Sequence, residues 1–186
     1  MGLDRDPGWW PVVRRLPLLV VPVLGMRSMA LNRSGLDSMR MVWLTLANAM
    51  VLLWFPVTLA SGQGLDRLDT TTGAVLVGLV GTFAQLVAPR LTPVWDFADA
   101  ARFARSFQRA TFTRIGLAQI AVAVGLIGFL LSGSVWVYGT GFVIAGAGMV
   151  DAAPGRRRVA EAQRAADAAG CDLVVVRVLT GHQLSR

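Results

Sequence analysis

The chain predicts an all-α, polytopic membrane protein with four transmembrane helices and short cytoplasmic amphipathic segments, and three observations predict it. Four long runs, Val42–Ala60, Gly73–Pro89, Ile115–Leu131 and Val135–Val150, carry no charged residue. All 18 basic residues are arginines, and 17 of them fall in three of the five segments outside those runs. Apolar residues make up 54% of the chain and charged ones 16%, a balance that fits neither a disordered chain nor an ordinary soluble domain.

The N-terminal segment, residues 1–41, holds six Arg and three Asp. Within it Leu16–Met26 is apolar, but at about 11 residues it is too short to span. Pro17 and Pro22 also remove backbone donors that lipid cannot replace. The expectation is a segment on the membrane surface, with Trp9 and Trp10 at headgroup depth and Arg14 and Arg15 meeting lipid phosphates; a loop packed under the bundle is the alternative. Ser28-Met29-Ala30 loosely imitates a signal-peptidase site, but Arg27 precedes it and a long polar stretch comes before the apolar run, so cleavage is not expected.

The bundle, residues 42–150, contains spans at about 42–60, 73–89, 115–131 and 135–150. A hydrocarbon core of roughly 30 Å needs about 20 apolar residues, and no fewer than about 17. The first and third runs meet this; Thr70–Thr72 and Ser132–Ser134 lengthen the other two without adding charge. A β-barrel would need alternation, which AVLVGLVG lacks. Pro56 frees a carbonyl near Leu52 and is expected to bend the first span.

Charge orients the spans. Residues 1–41, 90–114 and the tail 151–186 are Arg-rich, whereas Ser61–Thr72 sets Arg67 between Asp66 and Asp69 and the 132–134 turn is uncharged. The positive-inside rule places both termini and the middle loop in the cytoplasm of a bacterial cell (inner) membrane protein. The basic excess follows from that topology and does not signal nucleic-acid binding. One cysteine, Cys171, excludes an internal disulfide.

Small residues recur at three- and four-residue steps on three spans: Ala74, Gly78, Gly81, Gln85 and Ala88; Ala118, Ala121, Gly125, Gly128 and Ser132; Gly141, Ala145 and Gly148. In lipid, helices associate through close backbone approach, which small residues permit. The Gly125 face is expected to meet Gly78 and Gly81 inside the fold, leaving the Gly141/Ala145/Gly148 face for a partner chain. Three amides, Asn48, Gln85 and Gln119, lie about 6–9 Å in from the cytoplasmic helix ends at 1.5 Å per residue. They form a candidate polar layer, read first as interhelical glue and second as a solute or ion site.

Beyond the spans, Arg102, Arg105 and Arg109 share one side of an expected amphipathic helix, with Phe103 and Phe107 on another. In the tail, Gly155–Ala169 reads as a helix in which Glu161 pairs with Arg157 or Arg164, ended by Gly170. Asp172 is expected to cap a second short element closed by Gly181, although Leu173–Val178 reads equally as a strand. The two arginine groups, Arg102/Arg105/Arg109 and Arg156/Arg157/Arg158, are the candidate surface for anionic lipid or a protein partner.

No Asp, Glu, His, Lys or Arg occurs within any span, which disfavours proton-coupled transport. Asp96, Asp99 and Arg105 in DFADAARFAR resemble the first half of the CDP-alcohol phosphotransferase motif. Ala100 stands where that motif has Gly, and its downstream aspartates are absent, so the metal site cannot form. A lone Cys rules out a paired-cysteine oxidase, and an intramembrane serine protease would need a base beside its serine, whereas the only histidine, His182, lies in the tail. No cofactor, metal or catalytic residue is expected.

FQRATFTRIGLAQIAVAVGLIGFLLSG, then WVYG, then RRRVAEAQRAADAAGCDL resemble small uncharacterised four-helix integral membrane proteins of actinobacteria over about the last 80 residues. The resemblance implies a bacterial inner-membrane protein and no particular activity. The expectation is a non-enzymatic accessory subunit or oligomeric component, with a small transporter or channel built on the amide layer as the alternative.

Overall fold

A computed structural model describes residues 8–14 and 35–181; Leu16–Met26 and Ser28–Ala30 lie outside the described residues. Among the described residues seven helices follow in order: α1 (Trp10–Val13), α2 (Gly35–Leu59), α3 (Thr70–Leu91), α4 (Ala100–Ser132), α5 (Val135–Ala152), α6 (Arg156–Ala168) and α7 (Val175–Leu179). Among the described residues there is no strand. Helices α2 to α5 are each long and apolar enough to cross a membrane, so the fold is the all-α, four-span class expected.

Each of these helices outlasts its uncharged run. α2 begins at Gly35 and takes in Asp37 and Arg40, while α4 takes in every residue from Ala100 to Arg114 before its apolar part starts. The uncharged runs mark what lipid tolerates, whereas i→i−4 hydrogen bonding continues wherever the backbone permits it. Pro56 sits inside α2, which continues to Leu59.

The helices group into two compact units. One draws on parts of Leu46–Thr92 and Phe112–Ala152, the other on parts of Met1–Thr45, Pro93–Thr111 and Ala153–Arg186. The first unit therefore holds the four apolar stretches and the second gathers the three Arg-rich segments.

In the apolar unit α3 and α5 pack along their lengths in the same direction. Gly73 lies against Val137 near their first turns, Gly81 against Ile144 further on, and Gly148 against Gln85 near their last. α4 runs opposite to both, since Gly128 meets Val77 and Val137 while Ala121, two turns earlier, meets Gly81 and Gly141. Second and fourth spans running parallel, with the third antiparallel, is the arrangement that four successive crossings require.

The charge-poor loops close the far end of this unit. The main-chain N–H of Gly62 donates to Gly133 O at 2.9 Å, that of Leu65 to Leu130 O at 3.1 Å, and that of Arg67 to Leu131 O at 3.0 Å. The last two bonds satisfy carbonyls in the final turn of α4 that no further helical turn could reach, and the first holds the turn residue just beyond it. Gly133 (φ +68°) makes the α4–α5 turn in a left-handed conformation, with its backbone too close to Gly64 for a side chain on either. Asp69 starts α3 by accepting from Thr71 N at 2.8 Å and Thr72 N at 3.0 Å.

In the basic unit, α6 buries Val159, Ala162 and Ala166 on one face, and α7 buries Val175, Val178 and Leu179. α6 ends in a Schellman turn: Cys171 N bonds Ala166 O and Gly170 N bonds Asp167 O, each at 3.0 Å, with Gly170 at φ +70°. Residues 175–179, left open as helix or strand, are helical. Asp172 does not cap them. Val174 is the N-cap residue, and Val175 N donates instead to the Gln163 side chain at 2.9 Å. Gln163 also donates to Leu173 O and Asp167 Oδ1, so one α6 amide organises the turn that a carboxylate was expected to hold.

Candidate functional site

The small-residue stripes build contacts that allow no side chain. An added Cβ on Gly125 would lie 3.2 Å from Gly141 Cα, and one on Gly141 would overlap the Ala121 carbonyl. Gly81 stands against the Ala121 methyl and Ile144, whereas Gly78 has only Thr140 at 4.0 Å. Ala145 is fully buried and Gly148 is covered by the Gln85 amide. The Ala121/Gly125/Gly128 face thus meets α3 at Gly81, as expected, and meets α5 at Gly141 as well, while Gly78 stands apart from it. The expectation that Gly141, Ala145 and Gly148 are left for a partner fails, because α5 turns that face into its own bundle.

The three amides do not act as one network. Gln119 Nε2 points at the thioether sulfurs of Met50, 3.2 Å away, and Met149, 3.5 Å away. Gln85 lies flat on Gly148, and its Nε2 is buried with no hydrogen-bond partner among the described residues. Asn48 is half-buried on α2. Gly148 and Met149 are adjacent on α5, so the two glutamines approach neighbouring residues without bonding each other. Tyr138, which composition did not single out, is fully buried and donates to Met50 O at 2.9 Å, tying α5 to α2.

At the charged ends of these helices Arg114 gathers three of them. Its Nε donates to Thr92 Oγ1 at 3.2 Å and its Nη1 to Asp151 Oδ2 at 3.0 Å, so α3, α4 and α5 meet at one guanidinium.

In the basic unit the arginines divide by burial. Arg40 is fully buried, donating to Gly8 O at 2.7 Å and Pro154 O at 3.1 Å, with Asp37 at 3.9 Å and the Trp9 ring centroid at 5.5 Å. Trp9 also packs edge-on against Trp43 at 5.2 Å, so it belongs to this core, while Trp10 is exposed beneath the Arg14 guanidinium. Of the triplet, Arg156 and Arg157 are exposed but Arg158 is buried, and Glu161 pairs with Arg157 at 3.1 Å and Arg158 at 3.6 Å. Arg158 therefore drops out of the candidate surface, and Arg164 turns to Ala160 O rather than to Glu161.

Arg102, Arg105 and Arg109 do share a surface. The opposite face of α4 buries Phe103 and Phe107, over which Phe97 and Trp95 stack at 5.4 and 6.0 Å. Protein, not lipid, covers that apolar face, and the 93–99 loop folds back along the helix. Asp96 N donates to Ser106 Oγ at 3.0 Å and fixes the fold-back. Between loop and helix lies a cleft of about 440 Å³ lined by the three arginines, Pro93, Val94 and Asp96. Arg102 pairs with Asp99 at 3.3 Å; Arg105 and Arg109 have no carboxylate partner among the described residues.

Comparison with protein-family models, with curated proteins and with solved structures finds no match.

Proposed function

We propose that this chain is a non-enzymatic component of the bacterial inner membrane, an accessory subunit or oligomeric member of an assembly, with both termini in the cytoplasm. It acts through helix packing in the bilayer and through basic surfaces presented to the cytoplasmic leaflet and to a protein partner or second copy. One observation carries this reading: the three Arg-rich segments form a single compact unit with its own core around Arg40. Loops that merely connect spans need no buried arginine and no fully buried Phe103 and Phe107. The positive-inside rule supports the orientation. Among the described residues no group of His, Cys, Asp and Glu is placed to hold a metal ion.

A small transporter or channel is the second reading, favoured by the unpartnered Gln85 Nε2 inside the bundle. The Gln119–methionine contacts weigh against it, since they spend that amide on packing. Light scattering of the full chain in mild detergent, with identification of co-purifying proteins, tests the proposal. A mass above one chain, from self-association or a stoichiometric partner, is expected. A lone chain that drives solute flux in proteoliposomes, lost in Gln85→Leu, would replace it with the transporter reading.

A further inference from the structure

We infer that the cleft between the 93–99 loop and α4 holds the phosphodiester of an anionic phospholipid headgroup, gripped by Arg105 and Arg109. The inference rests on the membrane reading above and adds a ligand to it. Charge is its first support. Three guanidinium groups, Arg102, Arg105 and Arg109, face two carboxylates, Asp96 and Asp99, leaving one excess positive charge. Asp99 answers Arg102, and Asp96 Oδ1 is turned to Ala98 N at 3.0 Å. Arg105 and Arg109 are the donors left over, four residues apart and so about 6 Å along one helical face. A single negative charge shared by two guanidinium forks suits a phosphodiester, which carries one charge, better than inorganic phosphate, which carries nearly two.

Position is the second support. Pro93 and Val94 follow the end of α3 at Leu91 by two and three residues, and Arg109 and Arg105 precede the uncharged stretch at Ile115 by six and ten residues, about 9 and 15 Å of helical rise. Arg109 thus starts just beyond an interfacial layer of roughly 5–8 Å per leaflet, from which long arginine side chains reach back toward the headgroups. Val94, 88% exposed, gives the charged cleft an apolar rim. A soluble anion would gain nothing from that rim; a glycerolipid would. Ser106 shapes the cleft without donating to the ligand, because its hydroxyl proton is given to Phe103 O at 2.9 Å.

The test is native mass spectrometry of the full chain in a neutral detergent, titrated with phosphatidylglycerol or phosphatidylcholine. Wild type should retain phosphatidylglycerol preferentially. The double variant Arg105→Gln/Arg109→Gln should lose that preference by roughly tenfold, while Arg164→Gln/Arg177→Gln, exposed and outside the cleft, should keep it. Arg105→Lys/Arg109→Lys, which keeps the charge but not the fork, should fall between and guards against a folding defect. Equal loss in both Gln variants, or no preference in wild type, would overturn the inference in favour of diffuse charge. Displacement of bound lipid by millimolar inorganic phosphate would overturn the lipid source and leave a free-phosphate site. If the preference is absent while self-association or partner binding persists, the ligand assignment fails and the accessory-component reading stands.

Discussion

Arg40 Nε donates to the main-chain carbonyl of Pro154 at 3.1 Å, joining positions 114 residues apart through a fully buried guanidinium. The same side chain reaches Gly8 O and lies near Asp37, so it fastens the N-terminal segment, α2 and the start of the tail to one another. Removing one partner from such a buried set strands the rest, at a cost of about 3–5 kcal/mol. Arg40→Gln should therefore melt far below wild type in detergent. Arg40→Lys should rescue only part of the loss, since an ammonium cannot hold the same fork. A wild-type melting curve for Arg40→Gln would show that the guanidinium is not structural.

Gly141 leaves no room for a side chain, because any Cβ meets the Ala121 carbonyl. Gly141→Ala should cost about 1–3 kcal/mol by forcing two backbones apart, with loss of folded monomer on size exclusion. Gly146→Ala, on the same helix with nothing within 4 Å of the added methyl, should be silent. If Gly141→Ala folds normally but loses a partner, α5 offers this face outward after all.

Gln119 and Gln85 should behave independently. Gln119→Leu gives up two amide–sulfur contacts and should cost about 1 kcal/mol or less. Gln85→Leu removes a buried amide nitrogen that has no partner, so stability should hold or rise. Thermal shifts of the double variant should be the sum of the two, within about 0.5 kcal/mol. A clear departure from the sum would mean that the amides meet.

Asp69 lies outside the spans, and its carboxylate is held below the ordinary range by the Thr72 hydroxyl first and then by the backbone N–H groups of Thr71 and Thr72. A group with a lowered folded pKa stabilises above its unfolded value, about 3.9, and loses that contribution as pH falls through the folded one. Between pH 5 and pH 2 the melting temperature of wild type should fall more than that of Asp69→Asn, which caps without titrating. Parallel acid profiles would show that this cap contributes nothing that depends on charge.

Reporter fusions at Gly2, Thr92 and Arg186 should report cytoplasm, and one at Gly64 the outside. A periplasmic signal at Arg186 would require an odd number of spans.

The number of spans, the alternation of charged and uncharged segments, and the two faces of α4 with Arg102, Arg105 and Arg109 opposite Phe103 and Phe107 were legible from residue order alone. Transfer from water to hydrocarbon is a property of each residue and its near neighbours, so it is written locally along the chain. The partners of each face are not. A glycine stripe permits close approach to any helix, and only the rotation of α5 in the bundle sets Gly141 against Ala121 and takes that face away from a partner chain. Arg40, Arg114 and Arg158 look like the other arginines in sequence, yet two are buried and Arg114 gathers three helix ends. Their fate depends on carbonyls and carboxylates brought from distant positions, such as Pro154 for Arg40 and Asp151 for Arg114. The backbone bonds from residues 65–67 that satisfy the last carbonyls of α4 are equally invisible to side-chain pattern, since main-chain donors and acceptors are the same at almost every position.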